Sequence, residues 1–160
     1  MKLLSIDPGY DRVGVAILDK DMIDRTKEVV LFSSCIQTNK KDSFYERMEQ
    51  VRNRLHEIIE EYQPDTLVLE ELYFAKNTKT AMRVSEARGI IVGEGMRHGL
   101  KIFEIHPNRV KIAITGYGAA KKEDILFMLP KLIAMDLSDK IDDEVDALAI
   151  GVAFFAEYRG

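Results

Sequence analysis

The chain has 160 residues, 46% of them hydrophobic and 31% charged, with a formal net charge of −4. That composition suits one ordinary globular domain with a real core, expected to span residues 1–160. Cys35 is the only cysteine, which excludes a disulfide framework and a cysteine-based zinc site. No apolar run nears the ~18 residues of a membrane span, and the first strand begins with no signal peptide before it, so the expected setting is cytoplasmic with no membrane association.

In chain order, residues 2–6 (KLLSI) predict a strand, and Asp7-Pro8-Gly9 then forces a turn. Residues 13–18 and 29–36 predict two more strands, and the succession suggests an antiparallel meander. A helix follows over about 43–62, where Phe44, Met48, Val51, Leu55, Ile58, Ile59 and Tyr62 step at three and four. Pro64-Asp65 ends it, and TLVLE (66–70) reads as a buried fourth strand. A helix over about 78–98 precedes a fifth strand at 101–105, then shorter helices at about 107–114 and 121–135 and a last one at about 142–158. Pro130 is expected to kink or split the helix that contains it. The sum is an α/β fold, a five-stranded mixed sheet flanked by helices on both faces.

In the 78–98 helix, Ala81, Ser85, Gly89 and Gly93 recur every fourth residue. Glycine costs ~1 kcal/mol in a helix relative to alanine, so this stripe implies a backbone that something approaches closely. Either the chain's own sheet or a second copy in a homodimer would do so. His56, His98 and His106 stand too far apart in sequence to suggest a metal motif.

Charge is unevenly distributed. From Lys76 to Lys122 there are ten Lys/Arg against three Glu, a local net of +7 that leaves −11 for the rest of the chain. So one-sided a stretch predicts a polyanion-binding surface, although a solvated helix face is the usual explanation of any one basic cluster.

Four carboxylates stand out against this background: Asp7 in SIDPG, Glu70 in LVLEE, and Asp143 with Asp146 in DDEVDALAIG. Asp7 alone would serve as a turn former, and Asp142, Asp143 and Glu144 would each favour the positive end of a helix. Those roles do not explain Glu70, which closes an apolar strand, or Asp146, which opens an apolar helical run. Glu71 is expected on the opposite, solvent side by strand alternation. Four anions brought together call for cations, and a carboxylate cage holding two Mg²⁺ ions is the apparatus of in-line displacement at a phosphodiester.

The combination of IDPG, LExLYFAKN, ARG at 87–89, PNRVK and DxxDALAI, in that order over almost the whole chain, resembles the RuvC family of Holliday junction resolvases. The resemblance implies a ribonuclease H-like fold and a homodimer that resolves four-way DNA junctions by paired symmetric nicks, in recombination and repair. It implies Mg²⁺, or Mn²⁺ in its place, two ions per active site, with Asp7, Glu70, Asp143 and Asp146 as the catalytic metal-binding set. Water is the expected attacker, leaving a 5′ phosphate and a 3′ hydroxyl, since no convincing Ser-His-Asp or Cys-His set is present. The RuvA–RuvB branch-migration machinery is the implied partner. For DNA contacts the expected residues are Tyr73 and Phe74, which would stack on unpaired bases, with Lys76, Asn77, Lys111 and Lys122. Arg83, Arg88, Arg109 and Lys121 are further candidates that surface charge alone would also explain. The chain departs from the family pattern at Asp11-Arg12, at Pro130 and at His106.

Three other functions compete. An actin-like ATPase shares the Asp-x-Gly turn but needs two duplicated halves. A junction-binding module would be expected to lack a carboxylate of the set. A ribosomal-RNA-processing nuclease would share the DPG start but not the LExLYFAKN and DxxDALAI pairing.

Overall fold

A computed structural model describes residues 1–23, 27–72 and 78–158, with side chains of the last segment from residue 81 onward. β1 (Lys2–Asp7), β2 (Arg12–Asp19) and β3 (Val29–Gln37) form the antiparallel meander. β4 (Thr66–Glu70) adds parallel to β1, and β5 (Lys101–Ile105) adds parallel to β4. The resulting order is β3-β2-β1-β4-β5. The two parallel strands in the middle are buried along their length, which is why they read as continuous apolar runs.

Strand alternation sorts the core between the two faces of the sheet. Leu4 and Ile6 of β1 and Leu67 and Leu69 of β4 pack with Met48, Val51, Leu55, Ile58 and Ile59 of α1 (Phe44–Tyr62) and Ala87 and Ile91 of α2 (Thr78–Arg97). Leu3 and Val68 point the other way. They join α3 (Pro107–Thr115), α4 (Lys122–Ile133) and α5 (Asp142–Glu157), whose apolar face runs Val145, Leu148, Val152 and Phe155. Ser43 caps α1 in a reciprocal capping box with Glu46, as a Ser-x-x-Glu start requires.

α5 lies close against β1 and β2. The Ser5 hydroxyl donates to the Ala147 carbonyl at 2.7 Å, tying helix backbone to strand. Gly14 of β2 sits where an added Cβ would come within 1.7 Å of the Asp143 carbonyl oxygen, so only glycine lets the head of α5 dock there. The first turn, which carries the unusual Asp11-Arg12 pair, is stitched to both faces. Arg47 of α1, buried, bonds Asp11, the Tyr10 carbonyl and Thr38, while Arg12 pairs with Asp143 at 3.0 Å.

Two expectations are corrected. α4 runs unbroken through Pro130. The proline lies in the helix's last turn, where it removes one backbone donor, and its carbonyl still accepts from Ala134 and from Met135. His56 and His98 are not apart in space: adjacent packing of α1 and α2 places their ring nitrogens 3.0 Å from each other. The small-residue stripe also finds its orientation. Gly89 and Gly93 are exposed, and among the described residues nothing beyond the helix's own backbone lies within 4 Å of an added Cβ, so that side of α2 does not pack on the chain's own sheet.

Candidate active site

Asp7 ends β1 and Glu70 ends β4, one residue beyond the paired Ile6 and Leu69. Both share the parity of Leu3 and Val68, so alternation turns their side chains toward α5. On α5, Asp146 stands one turn beyond Asp142 and Asp143. The result is a cleft of about 480 Å³ lined by Asp7, Glu70 and Asp146 together with Lys111, Lys121 and Lys122. Asp143 borders the neighbouring cleft instead, beside Gly9, Tyr10, Asp11 and Arg12. Its Oδ2 is buried, and the Arg12 guanidinium lies against it without making a well-formed hydrogen bond.

The electrostatics follow from that crowding. Burial pushes the Asp7 carboxyl up to about 7, with Asp146, Glu70 and Asp143 adding repulsion and Lys122 opposing it. Glu70 is raised by burial first and by Asp146 second, against the pull of His106, Lys111 and Arg88. Asp146 is raised by burial, with Lys122 holding it back. Lys122 reaches Asp142 at 3.2 Å and Asp146 at 3.4 Å; burial draws its amine down, but these carboxylates outweigh it and leave it raised. Three carboxylates that resist ionising together beside one another are a donor set suited to a hard divalent cation, whose charge would remove the penalty.

The expected DNA-contacting residues divide. Lys111, Lys121 and Lys122 line the cleft. Arg83 is exposed on α2, paired with Glu86 at 3.1 Å and lying over the Phe44 ring. Arg109 pairs with Glu157 at 2.9 Å on the surface. Arg88, expected at the DNA surface, is buried: it donates to the Glu70 carbonyl and pairs with Glu104 at 2.6 Å, bracing the end of β4. Glu71 is half-buried, and its backbone N–H bonds the Ile105 carbonyl, extending the β4–β5 pairing by one residue. Tyr73, Phe74, Lys76 and Asn77 lie outside the described residues.

Three residues near the carboxylates take places the sequence did not suggest for them. Arg12 steadies Asp143, Arg88 steadies Glu70, and His106 caps α3 by accepting from the Asn108 backbone N–H. Arg12 and His106 were visible as departures from the family pattern, and that was the only sequence signal they gave.

A mixed sheet of this order, with acidic residues where its two central parallel strands end against a helix that brings more, defines a ribonuclease H-like nuclease. The family model described as crossover junction endodeoxyribonuclease RuvC matches residues 3–154, and the chain belongs to that family. Among its relatives, the crossover junction endodeoxyribonuclease RuvC of Thermosipho melanesiensis is 36% identical over 99% of both chains. That of Alkaliphilus metalliredigens is 40% identical over 95% of this chain and 91% of its own. In fold, the chain is similar to Thermus thermophilus RuvC in complex with a Holliday junction substrate, with a TM-score of 0.90, 24% identity, and coverage of 99% of this chain and 95% of that one. The yeast mitochondrial Holliday junction resolvase Ydc2 is more distant, with a TM-score of 0.57 at 15% identity over 96% of this chain and 78% of that one.

Proposed function

We propose that this protein resolves four-way DNA junctions, hydrolysing one phosphodiester in each of two opposed strands, in recombination and repair. The observation that carries the reading is the single cleft in which Asp7, Glu70 and Asp146 face Lys111, Lys121 and Lys122. Anionic ligands for a cation and cationic ligands for a phosphate stand within one opening, which is what a metal-assisted nuclease requires.

Asp7, Glu70, Asp146 and Asp143 would hold two divalent ions, Mg²⁺ or in its place Mn²⁺. Bound there, the ions supply an acidified water and neutralise charge on the departing 3′ oxygen. Asp7 is central because it feels each of the other three carboxylates. Arg12 and Arg88 hold Asp143 and the Glu70 strand end in place from behind. Lys122, half-exposed above Asp146, orients that carboxylate and offers its charge to the scissile phosphate. Lys111 and Lys121 line the same approach; Tyr73, Phe74, Lys76 and Asn77 are read as further junction contacts by their match to the family motif, and Arg83 by its place in the basic stretch.

The working form is proposed to be one nuclease domain per chain in a homodimer, because a four-way junction offers two equivalent scissile sites to a two-fold assembly. Supporting this, α2 exposes Gly89, Gly93, Met82 and Met96 away from the chain's own core. No helix among the described residues is long and apolar enough to cross a membrane; a cytoplasmic setting alongside the RuvA–RuvB machinery accords with family membership.

The test mixes the protein and its Asp7→Asn variant with a labelled synthetic four-way junction, in Mg²⁺ and in EDTA, with linear duplex and structured RNA as controls. Paired symmetric nicks that need both metal and Asp7 are expected. Binding without nicks under any divalent ion would reduce the protein to a junction-recognition module, and cutting of RNA alone would make it an RNA-processing nuclease.

A further inference from the structure

On the opposite face of the sheet from the carboxylate cleft, α1 and α2 bring together four residues that the proposed nuclease chemistry does not use. His56 and Glu60 lie one turn apart on α1. Glu94 and His98 lie one turn apart at the end of α2, where the His98 backbone N–H still bonds the Glu94 carbonyl at 3.2 Å. Residues four apart on a helix present their side chains on one face, so the two pairs meet. Glu94 is 4% exposed, an expensive place for a carboxylate unless it is well matched.

Three atoms able to ligate converge, and the exposed Arg97 guanidinium reaches the same Glu94 Oε1 at 3.4 Å. His56 Nδ1 lies 3.0 Å from His98 Nε2 and 3.3 Å from Glu94 Oε1, and His98 Nε2 lies 3.0 Å from Glu94 Oε1. Protons cannot satisfy all three edges of this triangle. If one ring nitrogen donates, the remaining edge sets two lone pairs against each other; if both donate to Glu94, two N–H groups face each other. A single cation satisfies all three at once. Tetrahedral zinc, with bonds of ~2.0–2.1 Å to nitrogen and oxygen, sets its ligands ~3.3 Å apart, close to the size of this triangle. The fourth residue completes the pattern: Glu60 Oε1 lies 3.2 Å from His98 Nδ1, the ring's other nitrogen. A carboxylate there fixes the tautomer that leaves Nε2 free to ligate and raises its basicity. His56, Glu60 and His98 also each offer a ligand atom within 4.8 Å of one another, an alternative triad in which Glu60 takes the place of Glu94.

We propose that His56 Nδ1, His98 Nε2 and Glu94 Oε1 form a second metal site, for a divalent transition ion of the zinc class, with Glu60 as the positioning residue for His98. Two imidazoles and one carboxylate suit zinc or cobalt better than magnesium, which prefers oxygen ligands. The site would clamp α1 to α2. Because His56 is 43% exposed, the fourth coordination position opens to solvent.

The test uses the full chain carrying Asp7→Asn, which weakens the carboxylate cleft, stripped with chelator and titrated with Co²⁺ in excess Mg²⁺. One equivalent per chain is expected, with the visible bands of tetrahedral cobalt, bleached by added Zn²⁺. Adding His98→Ala should abolish the bands, and adding Glu60→Gln, at an exposed position, should weaken binding by about 10–100-fold. Circular dichroism of each variant checks the fold, and Glu60→Gln carries the test if His98→Ala does not fold. No tetrahedral bands in the parent, or bands equally strong with Glu60→Gln and His98→Ala, would overturn the proposal. Junction cutting by the unmodified protein is read separately, so failure here leaves the nuclease reading untouched.

Discussion

With its carboxyl held up to about 7 by burial and by Asp146, Glu70 and Asp143, Asp7 carries a proton for much of the time at neutral pH unless a cation takes its place. The folded state therefore binds more protons than the unfolded chain between pH ~4 and ~7, and metal-free stability falls as pH rises through that window. The full shift from 3.8 corresponds to an upper bound of about 4 kcal/mol. Melting in EDTA at pH 5 and pH 8 should show this loss, and Mg²⁺ should reverse it at pH 8. Asp7→Asn should flatten the pH dependence and raise metal-free stability at pH 8, while abolishing cutting and leaving junction binding largely intact. Loss of folding or binding together with cutting would instead make Asp7 a structural residue. Lys122 acts at the same scale. Its ties to Asp142 and Asp146 are half-exposed and add little to stability, so Lys122→Ala should lower the cleavage rate by about 10-fold or more. Junction affinity should change only a few-fold. An unchanged cleavage rate would leave this lysine as surface charge.

Among the elements, the head of α5 decides whether the site exists. Gly14→Ala would drive a methyl group into the Asp143 carbonyl, and backbone cannot move aside as a side-chain tip can. A loss of ~2 kcal/mol or more is expected, together with loss of metal-dependent cutting, because Asp143 and Asp146 move with the helix. Thermal melts and junction cleavage on the same preparation check both. The elements themselves were largely legible in the sequence, because their cues are local: the apolar steps of α1, Pro64-Asp65 at its end, and the apolar TLVLE that became β4. The convergence of Asp7 and Glu70 was likewise legible from two strands ending in acid. What could not be read were side-chain partnerships between distant segments. The pairing of Arg12 with Asp143, the burial of Arg88 between Glu70 and Glu104, and the meeting of His56 with His98 depend on how helices settle on the sheet. Pro130 does not split its helix, because the bonds on its C-terminal side, from Ala134 and Met135 to its carbonyl, still form, and the sequence carries no cue for that.

For the whole molecule, the open question of α2's small residues becomes a question of assembly. Among the described residues of a single chain, a Cβ added at Gly89 or Gly93 would meet open space, whereas one added at Gly95, two residues on, would come within 3.1 Å of Ile102 and Leu67. Alanine at Gly89 should therefore cost an isolated chain nothing, and helix propensity would even favour it by ~1 kcal/mol. If a second α2 lies against this stripe, a large side chain there must force the two copies apart. Gly93→Arg should thus leave the fold intact by circular dichroism while shifting the mass in solution from dimer to monomer. The junction product should change with it. Two active sites fixed about a dyad cut both strands before the junction escapes, whereas a monomer nicks once and releases a half-cut junction. On a supercoiled cruciform plasmid, the dimer should give linear product and Gly93→Arg nicked circles. A monomeric wild-type protein, or a Gly93→Arg protein that stays dimeric and still makes paired cuts, would move the interface elsewhere on the surface.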